Sequence, residues 1–171
     1  SLYNESSMLI IALPHTAAEA AHGYAHVHSD GHSVLRHASG AAATLSAHAG
    51  EVVALVPHSR LSWLSVQLPP ASHGPRLAAV LQGLLEDRLL SDADELHIVP
   101  APLTVQVARQ GGASLVAVCD KHWLRQALAP LQAAGLAVQR IVPELSPSTS
   151  PTLQVMGTPD HPQCVLSHAQ G

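Results

Sequence analysis

Five histidines crowd one short run of this chain. The segment HGYAHVHSDGHSVLRH holds His22, His26, His28, His32 and His37. On a strand, His26 and His28 share one face, and His32 can approach from across a hairpin. Neutral imidazoles so placed are ligands for zinc or nickel. Yet the spacing matches no standard zinc motif, and no paired cysteine or carboxylate completes a set. His26, His28 and His32 are thus weak metal candidates. Adventitious nickel binding is the plainer expectation, and no cofactor is expected. His58, His73, His97 and His122 fall at element ends and are expected to face solvent.

Other chemistry is thinner. Cys119 ends a strand beside Asp120, with His122 following. A thiolate at a helix N-terminus can be activated, but the plainer reading is a small apolar residue in a strand. No G-x-S-x-G elbow is present, so chance Ser and His pairs carry no hydrolase reading. Neither G-x-x-x-x-G-K-[ST] nor G-x-G-x-x-G occurs. The acidic residues Glu86, Asp87, Asp92, Asp94 and Glu95 cluster at a helix end. They are the candidate partner-binding patch, set against a plain solubilising surface. Carboxylates near a helix C-terminus oppose the helix dipole, so helix stability does not explain them.

Composition narrows the classes. The 171 residues suit one domain, or one domain and a piece of another. Apolar residues make up 47% of the chain, enough for a core. Aromatics are Tyr3, Tyr24, Trp63 and Trp123, so Ala, Leu and Val must fill it. That scarcity speaks against a stacking platform for single strands. The formal charge of −4, with few and scattered Lys and Arg, shows neither a nucleic-acid footprint nor a polybasic membrane patch. Cys119 and Cys164 make no disulfide framework and fit a reducing compartment. No run reaches the roughly 20 apolar residues of a membrane span.

The elements follow from pattern. Met8–Leu13 and Glu51–Val56 are continuous apolar runs and read as buried strands. Gly23–Ser29 and His32–Ala38 read as a hairpin about the Ser29-Asp30-Gly31 turn. Ser39–Gly50 is Ala-rich and holds a short helix or a loop. Leu61–Leu68 alternates, with Ser62, Leu64, Val66 and Leu68 on its apolar face. Leu77, Val80, Leu81, Leu84, Leu85 and Leu89 recur at helical steps, predicting a helix from Pro75 to about Leu90. Ser72 or Gly74 caps it, and Gly83 marks a close approach by a neighbouring strand. Leu96–Val99, Thr104–Ala108 and Ser114–Val118 read as strands, the last two joined at Gly111-Gly112. Asp120 caps a second helix, Lys121–Ala134, which Pro130 kinks or cuts short and Gly135 ends. Ala137–Val142 is a last strand. Pro143–Thr152 is a Pro/Ser-rich linker, and Leu153–Met156 with Cys164–Ser167 make a hairpin.

The run LLEDRLLSDADELHIVP resembles the cytoplasmic domain of protein L of bacterial type II secretion systems (general secretion pathway protein L). EVVALVPHSRLSWLSVQLP, VAVCDKHWLRQALAPLQAAGL and RIVPE agree with that family in order, so the resemblance spans about Met8 to the C-terminus. It implies an α/β fold of the α+β mixed-sheet type: an actin-like, ribonuclease-H-like lobe with helices packed on a mixed β-sheet. On this reading residues 1–7 are a tag or start-site extension and 8–142 the lobe. Residues 143–152 are the linker, and 153–171 a hairpin beginning a truncated second lobe. Family members carry a membrane helix after the cytoplasmic region, so this chain is expected to be a soluble piece. Actin-like ATPases place an Asp-x-Gly turn after the first strand. Here Leu13-Pro14-His15-Thr16 stands there, without carboxylate or glycine. The implied function is a non-catalytic scaffold at the cytoplasmic face of the inner membrane. It recruits the secretion ATPase, the E protein, through that ATPase's N-terminal domain. The full-length protein also meets the M protein and other platform components. An exposed strand edge would allow a homodimer, and no nucleic acid is expected. The alternative is a nucleotide-dependent actin-like ATPase of pilus assembly or cell division.

Overall fold

Apolar runs without polar alternation become interior strands, and two of them set the first unit. β1 (Met8–Ala12) buries Leu9 and Ile11 completely, and β4 (Glu51–Val56) buries Val52, Val53, Ala54 and Val56. The two pair in parallel, Leu9 opposite Val52 and Ile11 opposite Ala54. The computed structural model describes residues 7–45, 48–101, 104–148 and 150–168. They divide into two compact units, Ser1–Leu61 with Lys121–Leu145, and Ser62–Asp120 with Ser146–Gly171.

In the first unit β2 (Tyr24–Ser29) and β3 (Val34–Gly40) extend the sheet antiparallel from β1, and β8 (Arg140–Pro143) extends it parallel from β4. The order is β3-β2-β1-β4-β8, a mixed sheet as expected. By register, Leu9, Ile11, Tyr24, His26, His28, Val52 and Ala54 share one face. α5 (Lys121–Ala133) covers it, burying Trp123, Leu124, Ala127 and Leu131 at helical steps. The Tyr24 hydroxyl donates to the Ala127 carbonyl at 3.3 Å. Pro130 does not cut the helix short: α5 runs through it to Ala133. The stop is Gly135, at φ +80°. Leu136 N–H bonds the Leu131 carbonyl and Gly135 N–H the Gln132 carbonyl, while buried Leu136 and Leu131 close the cap. Two short helices, α1 (Ala17–Ala21) and α2 (Ala42–Leu45), complete the unit.

The second unit is built on a three-stranded antiparallel sheet, β5-β7-β6, from β5 (Ser62–Leu68), β6 (Leu96–Pro100) and β7 (Gly112–Asp120). Its core is Val66, Leu68, Leu81, Leu85, Ala108, Val116 and Val118. The strands thus divide between separate sheets. α3 (Pro75–Leu85) starts behind Gly74, not Ser72, whose hydroxyl donates to the Pro69 carbonyl at 2.6 Å. It buries Leu81 and Leu85 and then tightens into a 3-10 turn, Glu86–Arg88, so it ends earlier than its leucine spacing suggests. Leu84 is left exposed. A Cβ on Gly83 would meet nothing within 4 Å, so no strand approaches there.

One element differs in kind. Thr104–Gln110 is helix α4, not a strand. TVQVA alternates like a strand, but Val107 and Ala108 both face the core. Adjacent residues do that on a helix, whereas a strand sends them to opposite sides. Gly111, at φ +82°, ends α4, and its N–H bonds the Val107 carbonyl at 2.8 Å. Ala71 and Ser72 donate to the Arg109 and Ala108 carbonyls, satisfying the helix end. The hairpin β9 (Thr152–Thr158) and β10 (His161–Ser167) is a separate two-stranded ribbon.

Candidate functional site

Ligands of mixed and parallel sheets gather beyond the carboxyl ends of the strands, where chain direction switches. In the first unit a cleft of about 220 Å³ lies there, lined by Leu13, Pro14, His15 and Glu19, by Leu55 past the middle of β4, and by Glu144 just after β8. A phosphate loop would offer free backbone N–H groups at this turn. At Pro14 and His15 this turn offers none. Pro14 has no N–H, and the His15 N–H is donated to Glu19 Oε2 at 2.8 Å. Thr16 Oγ1 accepts the Glu19 N–H at 3.2 Å, so Thr16 caps the start of α1 while the Glu19 side chain reaches back to the residue before the cap. Two carboxylates, Glu19 and Glu144, therefore face the space a phosphate would enter.

The turn is also latched. The His15 carbonyl accepts the Trp123 indole N–H at 3.0 Å and the Arg60 guanidinium. Arg60 lies over the Trp123 ring, 5.3 Å from its centre. Ser59 Oγ and His15 Nδ1 are 2.7 Å apart. Glu144 Oε2 accepts the His58 N–H at 3.1 Å and lies 3.2 Å from His58 Nδ1. His58 is thus half-buried and partnered, not turned to solvent as expected. His73, His97 and His122 are exposed. The sequence carried a signal for this latch, the T-x-x-E spacing of Thr16 and Glu19.

The histidine-rich hairpin gathers a different trio from the one expected. His26 and His28 do share a face, their ring centres 5.7 Å apart. His32 sits exposed in the turn, where Asp30 Oδ1 accepts the His32 and Ser33 N–H groups. These two bonds hold the Asp30 carboxyl below its usual range. The ring beside His28 is instead His48, at 5.6 Å. Among the described residues no three His, Cys, Asp or Glu are grouped to hold a metal ion. His28 is held below the ordinary imidazole range, first by burial and then by Arg36, His48 and His26. Cys119 is buried, and burial followed by the Asp120 charge pushes its thiol up, the reverse of an activated thiolate.

The type II secretion system protein L family, by its sequence profile, matches residues 9–147. This chain belongs to that family. Type II secretion system protein L of Vibrio cholerae serotype O1 is 34% identical over 94 residues, which cover 55% of this chain and 21% of that protein. The match thus spans about a fifth of that relative's length. A solved structure, the cytoplasmic domain of EpsL, an inner membrane component of the type II secretion system of Vibrio cholerae, aligns with a TM-score of 0.68. It covers 96% of this chain and 72% of its own, at 23% identity, and the likeness is one of fold.

The five acidic candidates for partner binding lie between α3 and β6. Glu86 and Asp87 occupy the 3-10 turn after α3, and Asp94 and Glu95 a second one, Ala93–Glu95, preceded by Asp92. All five are exposed, and Leu90 between them is wholly so. No described helix is long and apolar enough to cross a membrane.

Proposed function

We propose that this chain is a non-catalytic scaffold of the type II secretion platform, working at the cytoplasmic face of the bacterial inner membrane. Its task is to recruit the secretion ATPase through that ATPase's N-terminal domain. Membership of the protein L family supports the setting. The strand-end cleft carries the non-catalytic part, because Pro14 has no N–H, the His15 N–H is taken by Glu19, and two carboxylates line the cleft. The sheet order β3-β2-β1-β4-β8 supports an actin-like, ribonuclease-H-like lobe whose nucleotide site has been built over. The exposed acidic turns supply the recruiting surface, setting approach and register against a basic partner face. The M protein and a second copy of this chain are the further partners.

The test is sedimentation of the chain with the N-terminal domain of its own secretion ATPase. A complex of defined stoichiometry is expected, weakening as salt rises. Reversing Asp92 and Glu95 to Lys should weaken it by about tenfold, roughly 1.4 kcal/mol. A complex indifferent to that reversal places the interface elsewhere. No complex at all contradicts recruitment by this part of the protein.

A further inference from the structure

A concave surface of the first unit larger than the strand-end cleft lies on the histidine face. A second cleft of about 870 Å³ is lined by His26, His28, Arg36, Ser39, Thr44 and His48, among others. No carboxylate lines it among the described residues, although the chain as a whole is acidic. His28 and Arg36 are direct cross-strand partners, so they project from the same face. Arg36 has no carboxylate partner among the described residues. His26 is nine-tenths buried, and its Nδ1 donates to the Tyr24 carbonyl at 2.9 Å, which leaves Nε2 for a ligand. His48 Nε2 is buried with no hydrogen-bond partner. A buried polar atom left unpaired calls for an occupant.

We propose that this cleft binds a small tetrahedral oxyanion, a phosphate or the phosphate end of a phosphomonoester, held by Arg36 and the imidazoles of His26, His28 and His48. The fixed positive charge of Arg36, with no carboxylate among the described lining residues, suits an anion. The Arg36 guanidinium can donate more than one N–H to the anion's oxygens at once. Arg36 comes from β3, His26 and His28 from β2, and His48 from the segment after α2. No acidic group faces them from these elements among the described residues. Binding draws protons onto the imidazoles, so affinity rises as pH falls. The site is separate from the strand-end cleft and does not depend on the scaffold role.

The experiment is calorimetric titration of the whole chain with inorganic phosphate at pH 6 and pH 8, with acetate and sulfate in parallel. One-site saturation at pH 6 is expected, weaker by about tenfold at pH 8 and by tenfold or more in Arg36→Ala. His32→Ala, in the exposed turn, should bind as the parent does. Proton NMR of the ring Cε1–H groups should move His26, His28 and His48 but not His97 or His122. Thermal unfolding of each variant keeps a folding defect apart from a binding defect. No saturation at pH 6, or equal affinity in a folded Arg36→Ala variant, overturns the proposal. Acetate binding as tightly as phosphate means an adventitious ion only, and also overturns it.

Discussion

At the scale of single residues, the His15 turn is fixed by what its backbone gives away. Its N–H goes to Glu19, and its carbonyl to Trp123 and Arg60. Trp123→Phe removes the indole donor and weakens the ring stacking beneath Arg60. A loss of about 1–2 kcal/mol in urea unfolding is expected. His28 supplies a pH effect with a definite sign. Its pKa is lowered in the folded state, so below the ordinary imidazole value of about 6.5 the unfolded chain binds the proton more readily. Stability is therefore full above that value and falls as pH drops from it toward the lower folded pKa. His28→Gln should flatten the fall, as read from unfolding midpoints between pH 7.5 and 5.5. Alternation in the sequence put His26 and His28 on one face, where the sheet has them. The sequence chose His32 over His48 because hairpin proximity is visible in it, whereas the approach of a loop beyond α2 is a tertiary fact.

At the scale of elements, hydrophobic pattern told strands from helices wherever length and period agreed. β1, β4, β5 and α5 fall close to their apolar runs because burial chose the same residues that the pattern did. α4 was illegible because seven residues hold less than two helical turns, and β-branched valines at alternate places imitate a strand. What settles it is Ala108 packing in the core beside Val107, a contact no local pattern contains. The glycines separate in the same way. Gly83 stands in α3 with open space around it, so Gly83→Ala should stabilise by about 0.5–1 kcal/mol. Gly135 stands at φ +80° in a helix stop, so Gly135→Ala should cost about 1 kcal/mol. Chemical denaturation of the two variants side by side checks both signs.

At the scale of the whole molecule, the chain builds a mixed five-stranded sheet whose strand-end cleft, the usual ligand position, is stoppered by its own side chains. Its acidic turns lie in the other unit. That combination fits coupling by binding. The family was legible in four ordered segments because together they span most of the residues its profile matches. The partner surface was legible only as a run of carboxylates, because an interface is defined jointly with a partner whose sequence is not in this chain. The most direct measurement is a pair of calorimetric titrations of the chain, one with the N-terminal domain of its secretion ATPase and one with ATP and magnesium. Saturable heat with the ATPase domain and none with the nucleotide is the predicted result; nucleotide binding without protein binding would contradict the scaffold account.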